Sequence, residues 1–352
     1  MRLEKLSLEN FRNYKQISID FGADLVLILG NNAAGKTNVL EGIYFLSRLK
    51  SFRAPDNLLV KNQEDFFTIK GRSGENQFEA TVQINPALKR QFKINDLKTK
   101  RGLWKTFSTV LFVPNDLNLF QLGPILRRKF LDETISQIDQ TYSIDLESLD
   151  HVLKQKAKLL ESIYQNQGTV GELEFWNQQL APVAVRITNA RQAFVDFLNQ
   201  RLIETTNKLT GFDNQLELRY KRTQAQTEAQ FLESLKEHES AELRSGKNLI
   251  GPHRDDFEIY KDQQLNLFNS SRGELRAQIL ALKLLQAEYL GQKSKPIILL
   301  DDVFSELDEV RRTKLIETLT GHQIFITSTE EHHLPKIIQG SQLLKVENNQ
   351  IS

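Results

Sequence analysis

No stretch constrains this chain more than Gly30-Asn31-Asn32-Ala33-Ala34-Gly35-Lys36-Thr37. It follows the unbroken apolar run Leu25–Leu29 and precedes Val39, Leu40, Ile43, Leu46 and Leu49, which recur at helical spacing. Buried strand, glycine-bounded turn and helix, in that order, place the pattern G-x-x-x-x-G-K-[ST] in the context its mechanics require. Glycines let the backbone wrap an anion, so that successive N–H groups and the helix N-terminus face it. The pattern predicts that Gly30, Asn31, Asn32, Ala33, Ala34 and Gly35 cradle the phosphates of ATP or GTP. Lys36 then reaches the β- and γ-phosphates and Thr37 ligates magnesium. By average residue usage the pattern arises by chance in such a chain on the order of one time in a hundred, which leaves an ordinary Gly-rich turn as the weaker alternative.

A second element answers the first. Ile297-Ile298-Leu299-Leu300-Asp301-Asp302 is an apolar strand ending in paired carboxylates. Asp301 is predicted to hold magnesium through water and Asp302 to orient the attacking water. Two adjacent Asp at a strand end fit a helix cap equally well when taken alone; the phosphate loop upstream favours the catalytic reading. Between loop and strand, Ser270-Ser271-Arg272-Gly273-Glu274-Leu275-Arg276 opens a helix and resembles a degenerate ABC signature, although a plain Ser-Ser N-cap fits that stretch too. Phosphate loop, signature, acidic strand, then Ser305-Glu306-Leu307-Asp308 is the ABC order of parts. In ABC ATPases the signature Ser and Gly bind the γ-phosphate held by the other subunit. That resemblance gives Ser271 a catalytic role and makes Ser271 and Gly273 nucleotide contacts.

The rest of the chain sets the frame. At 352 residues, 39% hydrophobic and 26% charged, it fits a soluble protein of two lobes, with no apolar run near the roughly 18 residues of a membrane span. It has no cysteine, which excludes disulfides, thiolate metal sites and Cys nucleophiles. The N-terminus lacks a secretory pattern, so a cytoplasmic location is expected. Two-residue alternation at the start reads as strands, and residues 66–111 read as hairpins at the edge of the first lobe. Residues 123–244 are mainly helical in pattern, with a short strand near Leu216 to Tyr220. Strands near Phe257 to Tyr260, Ile297 to Leu300 and Ile324 to Thr327 then return to one parallel sheet. The expected lobes are therefore 1–122 with 245–352 for nucleotide and 123–244 as a helical insertion. Lys and Arg number 46 against 45 Asp and Glu, so any DNA surface must be local. The basic run Lys89, Arg90, Lys93, Lys98, Lys100, Arg101 and Lys105, opposed only by Asp96, reads either as such a surface or as a solvated loop.

Five segments together resemble the RecF family over the whole chain: Asn10-Phe11-Arg12-Asn13-Tyr14; Asn31 to Asn38; Pro114-Asn115-Asp116-Leu117 continuing through Gly123-Pro124 to Arg127-Arg128-Lys129-Phe130-Leu131-Asp132; Gly251-Pro252-His253-Arg254-Asp255-Asp256; and Asp301 to Asp308. The chain departs from that pattern at Asn115, usually acidic, at Leu122, where Gly is common, at Lys156, near a stretch that is normally Arg-Asn, and at Arg272-Gly273-Glu274, where Gln-Gly-Gln is usual. The signature departures bear on hydrolysis and on how a second subunit senses the γ-phosphate.

The resemblance implies an α/β fold: an ABC-ATPase head with a parallel sheet around the phosphate loop, antiparallel hairpins at its edge and a mainly helical second lobe. It implies ATP and Mg2+ as cofactors, with Arg12 and Asn38 joining the nucleotide contacts and Thr37 and Asp301 as metal ligands. It further implies an ATP-driven homodimer that clamps double-stranded, single-stranded or gapped DNA in repair, replication and the SOS response. Hydrolysis is weak and DNA-dependent, and RecO and RecR are partners in placing the recombinase at gaps. Lys89 to Lys105 with Arg127, Arg128 and Lys129 are then expected to touch the DNA backbone. His253-Arg254-Asp255 can be read as a catalytic His-acid pair, but a structural or interface role is preferred, since no nucleophile motif accompanies it and an Arg-Asp pair commonly fixes a turn. An SMC-type ATPase would need a far longer coiled-coil insertion. A transporter ATPase would carry a His where Thr327-Ser328-Thr329 stands, and an ATP-binding switch with little turnover remains the alternative.

Overall fold

A computed structural model describes residues 1–104, 106–211, 215–222, 226–265, 270–329, 340–347 and 349–352. In chain order its strands are β1 (Lys5–Phe11), β2 (Tyr14–Asp20), β3 (Leu25–Leu29), β4 (Phe66–Ser73), β5 (Asn76–Gln83), β6 (Lys89–Ile94), β7 (Leu97–Thr99), β8 (Thr109–Phe112), β9 (Leu216–Lys221), β10 (Asp256–Lys261), β11 (Gln264–Leu265), β12 (Ile297–Asp301), β13 (Ile324–Ser328), β14 (Gln342–Glu347) and β15 (Gln350–Ile351). The helices are α1 (Lys36–Arg48), α2 (Asn118–Gln121), α3 (Pro124–Ile138), α4 (Gln140–Tyr164), α5 (Leu173–Thr210), α6 (Glu228–Ser245), α7 (Arg272–Gly291) and α8 (Glu309–Thr318).

The chain divides into one unit of residues 1–116 with 283–352 and another of residues 117–282. Residues 245–282 thus lie with the helices and not, as expected, with the nucleotide lobe. The cause is β10, which does not rejoin the parallel sheet but pairs antiparallel with β9 and β11. Its burial alternates, as in a sheet covered on one face, whereas β12 and β13 are buried at every position. The C-terminal strands β14 and β15 are elements the apolar pattern did not announce.

In the first unit, β14, β3, β13, β12 and β8 form a parallel sheet with β15 antiparallel at its edge. A second, antiparallel sheet runs β2-β1-β4-β5-β6-β7. Helix α1 packs on strands of both sheets, so every residue from Val39 to Leu46 is buried. Gly42 permits the close approach to β1, because a Cβ there would stand 2.7 Å from Leu8 Cδ2. Phe67 takes Phe11 and Phe45 edge-on, with ring centroids at 5.3 Å in both pairs, each worth about 0.5–1.5 kcal/mol beyond burial. The helix stops where Leu49 turns left-handed at φ 51° and its N–H donates to Phe45 O.

The second unit is organised by buried charge. Arg191, 2% exposed, donates to both oxygens of Asp132 at 2.9 and 3.0 Å and to Pro252 O at 2.7 Å. Asp255, equally buried, accepts from Tyr220 Oη at 2.5 Å and Thr188 Oγ1 at 3.2 Å. Arg127 clasps Asp256 through Nε and Nη2 at 2.7 and 2.8 Å, and Arg128 donates to Asp255 O at 2.7 Å. Residues 251–256 therefore tie α3, α5 and β9 together, with Asp255 held by Tyr220 and Thr188 while Arg254 donates to Asn248 O. The same bonds correct the DNA assignment of Arg127, whose buried guanidinium is spent inside the unit, while Arg128 is half-buried and gives Nη1 to Asp255 O. A run of Arg reads as surface charge in a sequence, yet the planar guanidinium is the cation best suited to bidentate burial against carboxylate. Lys129 stays exposed, 3.8 Å from Glu133.

Candidate functional site

Three strands of the parallel sheet deliver side chains to one place. β3 runs into Gly30, β12 ends on Asp301, and β13 lies between them with Thr327 in register beside Asp301. The carboxyl ends of parallel strands are where open α/β sheets bind ligands. Thr37 Oγ1 donates to Asp301 Oδ1 at 2.8 Å, and Thr327 Oγ1 donates to the same oxygen at 2.8 Å. Thr327 Oγ1 also accepts from the Asp302 N–H at 3.0 Å. Asp301 is thus aimed from two sides. The oxygen pair Thr37–Asp301 suits a small hard cation that takes one or two protein oxygens and fills its octahedron with water and phosphate. The sequence marked Thr327 only by its place after the last core strand; its bond to Asp301 follows from strand register.

The loop between β3 and α1 is shaped by close approaches. A Cβ on Gly30 would stand 2.4 Å from Val346 O, and one on Gly35, at φ 114°, would meet Asn13 Nδ2 and Tyr14 Oη at 2.7 Å. Lys36 Nζ donates to Gly30 O at 2.7 Å and Asn31 O at 2.9 Å, which aims the ammonium into the loop. Burial lowers its pKa, and Asp302 and Asp301 partly reverse that shift. Asp302 takes a left-handed backbone, φ 52°, which is uncommon outside Gly and tolerated best by Asp and Asn. It starts the turn in which Ser305 Oγ donates to Asp302 O, and Asp308 caps α8 through the Arg311 N–H.

Beside the loop lies a pocket of about 490 Å³ bordered by Arg12, Asn13, Asn38, Arg53, Lys61 and Asn349. Two of its lining residues, Arg12 and Arg53, are held by Glu41, fully buried, which receives Arg12 Nε and Nη2 at 2.8 Å each, together with Arg53 and Ser51. Burial pushes the Glu41 carboxyl up, but the hydrogen bonds from Arg12, Arg53 and Ser51 outweigh it and hold the pKa below the usual range. Asn38 donates to Asn13 Oδ1 at 2.6 Å, and Tyr14 Oη donates to Gly35 O at 3.1 Å. The segment from Asn10 to Tyr14 therefore buttresses the loop from behind. Arg53, Lys61, Glu41 and Asn349 escaped sequence reasoning because they come from four separate stretches with no shared motif.

In the second unit, Ser271 precedes α7. Its hydroxyl accepts from the Glu274 N–H at 3.2 Å, while Glu274 Oε2 accepts from the Ser271 N–H at 2.8 Å. Glu274 Oε1 stands 2.5 Å from Lys261 Nζ. Gly273 lies in the first turn, and Arg272 is exposed.

A family model described as the RecF/RecN/SMC N terminal domain matches residues 2–352. The DNA replication and repair protein RecF of Moorella thermoacetica is 37% identical over 350 residues, covering 97% of this chain and 94% of that protein. RecF of Leptospira interrogans is 35% identical over 341 residues, covering 94% and 92%. Among solved structures, the recombination mediator protein RecF-ATP in the RecFOR pathway superposes with a TM-score of 0.90 at 31% identity, over 99% of this chain and 96% of that one. An Smc head bound to the C-winged helix domain of ScpA shares the fold, at a TM-score of 0.56 and 14% identity over 100% of this chain and 97% of the other.

Proposed function

This chain belongs to the RecF family of DNA replication and repair proteins, and from that membership we propose that it dimerises around ATP to hold DNA, releasing it on slow, DNA-stimulated hydrolysis. The observation that carries the reading is the pair of hydroxyls, Thr37 and Thr327, both bonded to Asp301 Oδ1 at the mouth of the loop that holds Lys36. On this reading the N–H groups of the loop from Asn31 to Thr37 cradle the phosphates. Lys36 exchanges Gly30 O and Asn31 O for the β- and γ-phosphates. Mg2+, when bound, neutralises charge on the phosphate oxygens; Thr37 would hold it directly and Asp301 through water. Asp302 orients the attacking water, and Arg12 and Asn38 border the nucleotide from the adjoining pocket.

Ser271 and Gly273 serve the nucleotide of a second copy, so that neither subunit completes the site alone. Lys89, Lys98, Lys100 and Arg101 contact the DNA backbone without reading sequence. The cytoplasm is the setting, and RecO and RecR are the partners with which the dimer helps the recombinase onto gapped DNA. The place of the solved RecF-ATP relative in the RecFOR pathway supports that assignment.

The test is the mass of the purified protein in solution without nucleotide, with ADP, and with ATP and magnesium, using Asp302→Asn to slow turnover. A dimer with ATP alone, lost in Lys36→Met and in Ser271→Arg, is the expected result. A monomer under every condition, DNA included, removes the shared-nucleotide mechanism.

A further inference from the structure

The start of α7 already carries an anion of its own. Ser271 and Glu274 form a reciprocal capping box, and the second carboxylate oxygen of Glu274 is engaged by Lys261 at the end of β10. Because the Ser271 oxygen accepts from the Glu274 N–H, its hydrogen is left to donate outward. The N–H groups of Arg272 and Gly273 belong to a first turn, which has no intrahelical acceptors. A helix start of this kind favours a single negative charge most, and each further one less.

We propose that Glu274 is a brake on ATP-driven association: its carboxylate competes with the partner-held γ-phosphate for the field at the α7 N-terminus, and Lys261 sets the strength of the brake by neutralising part of that charge. The proposal rests on the reading of Ser271 and Gly273 as the phosphate contacts of a second copy. Glu274 is a positioning residue in this scheme, acting through the capping box on Ser271. The bond to Lys261 and the Ser271 N–H hold the carboxyl below its usual range, so it is charged at neutral pH. Glutamine at this position completes the same capping box without charge. Glu274→Gln therefore separates the electrostatic role of the residue from its structural one.

Sedimentation equilibrium in the Asp302→Asn background measures the dimer dissociation constant with ATP and with ADP for four chains: parent, Glu274→Gln, Lys261→Met, and both together. Glu274→Gln is expected to tighten the ATP-dependent dimer on the order of tenfold, because a two-fold dimer contains the site twice, and to leave ADP samples unchanged. Lys261→Met is expected to weaken it by a similar factor, and the double variant to match Glu274→Gln alone. Thermal unfolding of all four without nucleotide reports whether the cap survives. An unchanged or weaker ATP-dependent dimer in a stably folded Glu274→Gln overturns the proposal. So does a double variant as weak as Lys261→Met, which would make Lys261 itself the phosphate contact. If Ser271→Arg fails to abolish ATP-dependent association, or no variant associates, the signature reading fails and the brake falls with it.

Discussion

Glu41 has the most demanding environment of any single side chain near the loop. A fully buried carboxylate is tolerable only because Arg12 and Arg53 surround it. Its pKa in the folded state is depressed, so it adds stability above its unfolded-state pKa, and that part is lost as pH falls through the folded value. Glu41→Gln should cost about 3–5 kcal/mol at neutral pH and flatten the acid limb of a stability–pH curve. Urea unfolding from neutral to acid pH checks both, and an unaltered acid limb would place the titration elsewhere. Thr327 makes a different case, since replacing its hydroxyl by a methyl keeps the volume but leaves Asp301 Oδ1 held by Thr37 alone. Thr327→Val should lower ATP hydrolysis about 10–100-fold while nucleotide affinity changes less. Steady-state turnover beside equilibrium nucleotide titration separates the two effects. That the loop and Asp301 would meet was legible in the sequence because both motifs are local; the bond from Thr327 was not, because it exists only through the β12–β13 register.

Charge has to be judged element by element. In the β6–β7 hairpin, Arg90 is bound to Asp56 at 2.7 Å and Lys93 to Glu79 at 2.6 Å, while Lys89, Lys98, Lys100 and Arg101 are exposed. Lys105 lies outside the described residues. The double substitution Lys98→Ala with Lys100→Ala should therefore reduce the slope of log binding constant against log salt by about 2 for duplex DNA. An unchanged slope in a salt titration followed by anisotropy would assign the backbone contacts to another face. Arg127 and Asp256 predict the opposite phenotype: Arg127→Ala should cost about 3–5 kcal/mol of stability, read by urea unfolding, because it strands a carboxylate in the interior. The sequence could not separate these two basic runs, since fixed local charge says nothing about which carboxylates the fold brings near. β10 was misassigned for a related reason: a short apolar alternation specifies a strand but not its partner.

At the scale of the whole molecule the question is how a ligand held by one unit becomes an event for both. The chain has two tryptophans, and they report separately. Trp104 sits in the first unit, donating to Leu46 O at 2.7 Å and packed on Phe78 and Phe92; Trp176 sits in the second, against Phe175 and His151. Replacing each in turn by Phe leaves one fluorescent probe per unit. A ligand that binds only the folded state adds about 2.7 kcal/mol at a hundredfold excess over its dissociation constant. In dilute protein, ATP with magnesium should raise the unfolding midpoint seen by Trp104 and leave that seen by Trp176 in place, since the loop, Asp301 and Thr327 all belong to the first unit. In concentrated protein both midpoints should rise, and they should climb further with protein concentration, because Ser271 and Gly273 of the second unit then engage a partner's nucleotide. Ser271→Arg should return the concentrated sample to the dilute pattern. Equal shifts in both probes at every concentration would mean that ATP couples the units within one chain, and association would lose its role as the link between nucleotide and the rest of the molecule.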